Sequence, residues 1–151
     1  MIENSRTLIE DELSKHGVYA STTSGVSMRP LFRTGRDMVI ISKPTGEEKK
    51  YDVVLYRDGH GKYILHRIIA VKDSFYIIRG DNTYVRERVD KSRIIGVLTE
   101  FNRRGKRGSV DSFGFKLYSR VWNFLYLPRA VAYYILRTAK RALKKIFKRK
   151  K

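Results

Sequence analysis

The stretch Tyr51-Asp52-Val53-Val54-Leu55-Tyr56-Arg57-Asp58-Gly59-His60-Gly61-Lys62 decides the fold class. Its first seven residues, Tyr51–Arg57, are rich in β-branched and aromatic side chains and read as a strand. Asp58-Gly59-His60-Gly61 places two glycines where the chain must reverse, and Lys62–Lys72 returns as another strand. The same rhythm of short strand and turn extends in both directions. Upstream, Met38–Ser42 is a Val/Ile run. Downstream, Asp73-Ser74 leads into Phe75–Arg79, Gly80-Asp81-Asn82 closes that strand, and Ser92–Phe101 supplies a fifth. Short strands joined by turns, with little helix between them, predict a mainly β protein built as a compact, coiled antiparallel domain.

Helix is expected at the two ends. Over Ser5–His16, Leu8, Ile9 and Leu13 share a face and Gly17 supplies a stop, so a short N-terminal helix is predicted. Asn102–Ser112 is rich in Gly, Arg and Lys and reads as a basic linker. It would divide a β domain at 1–101 from a helical arm at 113–151. In the arm, with Pro128 as an early helical position, Val131, Ala132, Ile135, Ala139, Ala142, Leu143, Ile146 and Phe147 gather on one side. Arg137, Lys140, Arg141, Lys144, Lys145 and Lys148 gather on the other. Phe113, Phe115, Tyr118, Trp122, Phe124 and Tyr126 precede them. A basic amphipathic helix led in by aromatics suits a membrane surface; the same pattern also suits a helix packed on the β domain with its Lys/Arg face in solvent.

Charge supports that division. The chain of 151 residues carries a formal +18. From Phe101 onward there are 16 Lys/Arg against the single acid Asp111, so that segment holds +15 and the remainder +3. Such an arm seeks phosphates, on anionic lipid first and on nucleic acid second. Cysteine is absent, which excludes disulfides and thiolate metal sites. Met1–Arg6 has no basic start followed by an apolar run, so no secretory signal or N-terminal anchor is expected. Leu117–Leu136 is broken by Arg120, Pro128 and Arg129 and is a poor spanning segment. The expected location is cytoplasmic, peripheral on the inner face of the membrane.

Chemistry concentrates at Thr23-Ser24-Gly25-Val26-Ser27-Met28-Arg29-Pro30. Gly25 permits close backbone approach, and Pro30 disfavours helix at Arg29. A serine on such a turn can present both its hydroxyl and its own N–H to a substrate carbonyl. Further along stand Ile64-Leu65-His66-Arg67-Ile68-Ile69 and then Arg79-Gly80-Asp81-Asn82.

These three pieces, in this order and closing with Ile94-Ile95-Gly96-Val97, resemble the signal-peptidase-like serine proteases, the superfamily that includes the self-cleaving domains of SOS-type repressors. The resemblance covers about Ser21 to Glu100 and rests on short motifs that are specific in combination. In that group an S-M-x-P turn carries the nucleophile. The base is lysine in many members and histidine, followed by arginine, in others; His66-Arg67 makes this chain similar to the histidine type.

The resemblance implies a serine endopeptidase acting on an extended segment of a protein or peptide precursor, with no metal or organic cofactor. Ser27 would be the nucleophile, His66 the general base and Asp81 the acid that orients the imidazole. The Ser27 N–H would serve the oxyanion, with Gly25 and Met28 lining the substrate site. Lys62 and Lys72 are alternative bases, whereas His16 and His60 read as helix-end and turn residues. The chain departs from the family pattern where Arg36 separates Gly35 from Asp37. It departs again after Asn82, where Thr83–Glu87 offers a single further acid, Glu87. The rival function is a non-catalytic β module that binds lipid, nucleic acid or a partner through the basic arm. Self-cleavage is a third.

Overall fold

The computed structural model describes residues 4–149, with side chains over residues 9–141. Helix α1 (Asn4–His16) ends at Gly17, whose φ of 74° suits glycine and whose N–H bonds Leu13 O at 3.0 Å. Strands follow as β1 (Val18–Thr22), β2 (Met38–Ser42), β3 (Val53–Arg57), β4 (Tyr63–Val71), β5 (Phe75–Arg79), β6 (Glu87–Asp90), β7 (Ile94–Arg103) and β8 (Lys106–Ser109). The chain closes with helices α2 (Phe113–Phe124) and α3 (Tyr126–Arg149). All strand pairs are antiparallel, in the order β1-β2-β7-β3-β4-β5-β6, with β8 hung on β7. The fold is mainly antiparallel β.

Strand β3 explains the coiling. Val53, Val54, Leu55 and Tyr56 are all buried, so this strand is covered on both faces. By the period of two, Val53 and Leu55 enter one core with Leu13, Phe32, Ile41 and Leu98, while Val54 and Tyr56 enter a second with Ile68, Tyr76 and Ile78. Register shifts at Ile40/Ile41, Leu55/Tyr56 and Ile68/Ala70 bend the sheet so that it wraps both cores. Gly96 sits where the layers are tightest: a Cβ there would come within 2.3 Å of Ile41 Cγ2.

One expectation from the sequence is corrected. Asn102–Ser112 is no linker, because β7 continues to Arg103 and turns at Arg104 and Gly105 (φ 55° and 77°) into β8. Two residues at positive φ make the tight hairpin turn whose twist matches antiparallel strands. The helical arm begins at Phe113 as expected, and Pro128 is an early position, the third residue of α3. Ser112 caps α2 by accepting the Phe115 N–H, and α2 seats Phe115 in the first core. Among the described residues no helix is long and apolar enough to cross a membrane.

Candidate active site

The serine turn is clamped from two directions. Arg29 N–H bonds Val26 O at 3.2 Å and Phe32 N–H bonds Met28 O at 3.0 Å, closing the turn upon itself. Met28, Leu31 and Phe32 are buried and pin it to the first core. From across the fold, Asn82 donates its backbone N–H to Ser27 O at 2.7 Å and its side-chain Nδ2 to Val26 O at 3.2 Å. Gly25, at φ 81°, turns the chain at the exposed entrance. Arg36, the residue before Asp37, folds onto it: Nε to Oδ1 at 2.6 Å, Nη2 to Oδ2 at 2.8 Å. That hydrogen bonding is the chief reason the Asp37 carboxyl is held down at about 2.

Gly80 brings Ser27 and His66 together. A Cβ built on it would lie 2.8 Å from Ser27 O, 2.9 Å from His66 Nε2 and 3.0 Å from Ser27 Cβ. Ser27 and the Nε2 edge of His66 therefore border the same small space, which glycine leaves open. Among the described residues no hydrogen bond joins Ser27 Oγ to the ring, and none takes up the Ser27 N–H. Both are free to engage a substrate.

The other ring nitrogen is held by Glu87, not by Asp81. His66 Nδ1 lies 3.1 Å from Glu87 Oε1, and Tyr56 OH, 3.3 Å from Nδ1, donates to Glu87 Oε2 at 2.7 Å. A carboxylate at Nδ1 favours the tautomer with its proton there, leaving a lone pair on Nε2 towards Ser27. Burial pulls the His66 pKa below 6.5, and the Glu87 charge opposes it, followed by that of Asp81. That balance favours the neutral ring at neutral pH.

Asp81, assigned from the resemblance to orient the imidazole, does something else. Its carboxylate takes Arg67 Nε and Nη2, each at 2.8 Å, and the Tyr118 hydroxyl at 3.0 Å. The reason is strand geometry: His66 and Arg67 are neighbours on β4 and point to opposite faces. Arg67, fully buried, further donates through Nη1 to Tyr51 O at 2.9 Å and to Ser119 Oγ at 2.6 Å. The backbone carbonyl of Asp81 accepts from Trp122 Nε1 at 2.8 Å and Arg129 Nη2 at 2.7 Å. Helices α2 and α3 thus brace the Gly80-Asp81 segment from behind.

Beside Ser27 and His66 opens a cleft of about 500 Å³, whose walls include Ile9, Tyr19, Val39, Ile41, Leu55 and Leu65. Strand β1, an edge of the sheet, contributes Tyr19, Ser21 and Thr22. Lys62 also lines the cleft, but the nitrogen brought to Ser27 is that of His66. Lys72 lies past the far end of β4 and is exposed, as are His16 at the end of α1 and His60 in the turn after β3.

No protein-family model matches this chain, and no curated protein matches it.

The basic arm stands apart from this cleft. Arg137, Lys140 and Arg141 are exposed on α3. Lys144, Lys145 and Lys148 continue the same helix, and their side chains lie outside the described residues. Glu87 is the carboxylate beside His66 that the sequence reading underrated. The available signal was that it is the only acid in the five residues after Asn82.

Proposed function

We propose that this chain is a serine endopeptidase of the signal-peptidase-like type, cutting an extended segment of a protein or peptide precursor. The observation that carries the reading is the pairing of Ser27 with the Nε2 edge of His66 across Gly80, with Glu87 at Nδ1. Nε2 takes the Ser27 hydroxyl proton as Oγ attacks the scissile carbonyl carbon. The resulting oxyanion is met by the Ser27 N–H, and Glu87 stabilises the imidazolium. Collapse breaks the C–N bond; the proton on Nε2 passes to the leaving amine and an acyl ester remains on Ser27. Water then loses a proton to Nε2 and attacks the ester; collapse breaks the bond to Ser27 Oγ, which takes that proton back from Nε2 as the new carboxyl terminus leaves. The edge of β1 suits an extended substrate paired as an added strand, with its side chains dipping into the apolar cleft.

The test compares protein N-termini in native cells carrying the wild-type chain or Ser27→Ala. Termini that vanish with the hydroxyl would establish proteolysis and name the substrate at once. An unchanged set, with both proteins folded and expressed, would sink the reading.

A further inference from the structure

The two C-terminal helices turn an unexpected side to the β domain. Helix α2 packs inward through Phe115, Tyr118, Ser119 and Trp122, yet its outer face is also apolar: Phe113 is 80 % exposed, Phe124 84 %, Leu117 47 % and Val121 45 %. Helix α3 meets the domain with its polar side. Arg129 lies over the Trp122 ring at 3.6 Å, and Tyr126 and Tyr133 pack against Tyr84. Leu127, Val131 and Ile135 follow at 68, 58 and 63 % exposed. An amphipathic helix ordinarily buries its apolar stripe on its own domain; this one points it away.

We infer that α2 and α3 dock through these apolar faces onto an anionic lipid surface, lying in the plane of the headgroups. Charge decides among the possible occupants. Helix α3 contains eight Lys/Arg and no acid, so a second copy of the chain would bring like charge against like. Nucleic acid would satisfy the cations and leave the apolar faces in water. An anionic bilayer satisfies both: the apolar stripe enters the acyl boundary, while Arg137, Lys140 and Arg141 stay near the phosphates.

The test is sedimentation of the full chain with vesicles of phosphatidylcholine alone or phosphatidylcholine mixed with phosphatidylglycerol. The protein should pellet with the anionic vesicles, much less with the neutral ones, and be released by salt. Val131→Glu with Ile135→Glu should weaken pelleting more than tenfold. Arg137→Gln with Lys140→Gln and Arg141→Gln should weaken it about a hundredfold. Circular dichroism melts check that both variants fold. Protein that stays in solution with anionic vesicles overturns the proposal. So does pelleting that ignores the apolar substitutions but is competed away by duplex DNA, which would mark the arm as a nucleic-acid binder. Docking is read without cleavage, so its failure leaves the peptidase proposal standing.

Discussion

Replacing Asp81 by Asn and Glu87 by Gln, separately, should split stability from catalysis. Asp81→Asn leaves the buried Arg67 guanidinium without its carboxylate. Nη1 keeps Tyr51 O and Ser119 Oγ and Nε can keep the amide Oδ1, but Nη2 and the Tyr118 hydroxyl lose the acceptor they share, and the neutralising charge is gone. Breaking a buried ion pair from one side costs about 3–5 kcal/mol. At about 2–4 °C per kcal/mol for a chain of this size, the melt should fall by roughly 6–20 °C. Glu87 is one-third exposed, and Gln preserves its shape and its bond from Tyr56. Its melt should move by no more than about 1 kcal/mol, as for exposed pairs. Its turnover should drop far more, on the order of 10²–10⁴, because the amide neither stabilises the imidazolium nor fixes the tautomer. Differential scanning calorimetry and single-turnover cleavage of a substrate found by terminus mapping read the two effects. An inactive Asp81→Asn with an unshifted melt, beside a fully active Glu87→Gln, would refute the assignment and return the orienting role to Asp81.

Two further outcomes follow from the same geometry. His66 is buried and neutral, so kcat/KM should fall on the acid side with an apparent pKa below 6.5, and Glu87→Gln should move that limb lower still by removing the charge that favours the imidazolium. The linked stability has the same sign: below 6.5 the unfolded chain binds a proton that folded His66 resists, so the fold loses stability as pH drops through that value, measurable by urea titration. Gly80→Ala should cost about 1–3 kcal/mol by overpacking and abolish cleavage, since the methyl would occupy the space between Ser27 and Nε2. Normal turnover by that variant would show that the two side chains do not meet there.

Most of the β architecture was legible because its strands announce themselves by composition. Met38–Ser42 and Phe75–Arg79 match the observed strands residue for residue. Strands β1 and β6 were not legible. Val18-Tyr-Ala-Ser-Thr has no buried residue, and Glu-Arg-Val-Asp at 87–90 has one, so each is a strand because of its partner rather than its own pattern. The site was half legible for a related reason. Short motifs named Ser27 and His66, but deciding between Asp81 and Glu87 requires knowing which carboxylate faces which side of β4. The aromatic run from Phe113 read as membrane-facing or as packed on the domain without a residue-by-residue division, whereas Phe115, Ser119 and Trp122, spaced four and three apart, form an inward stripe. That spacing was available; the charge of the arm masked it.

The brace from Trp122 and Arg129 to the Asp81 carbonyl has a geometric corollary. A protease on a flexible leash sweeps a volume set by the leash and meets substrates at any angle. Here the helices that would lie on the bilayer are bolted to the loop that carries Gly80. Cleft and surface would then share one frame, with a constant height and tilt between them. Such an enzyme measures distance: it cuts where a precursor emerging from, or resting on, the same plane offers its extended segment at that height. Selection by position would then add to selection by sequence, narrowing the choice to one bond.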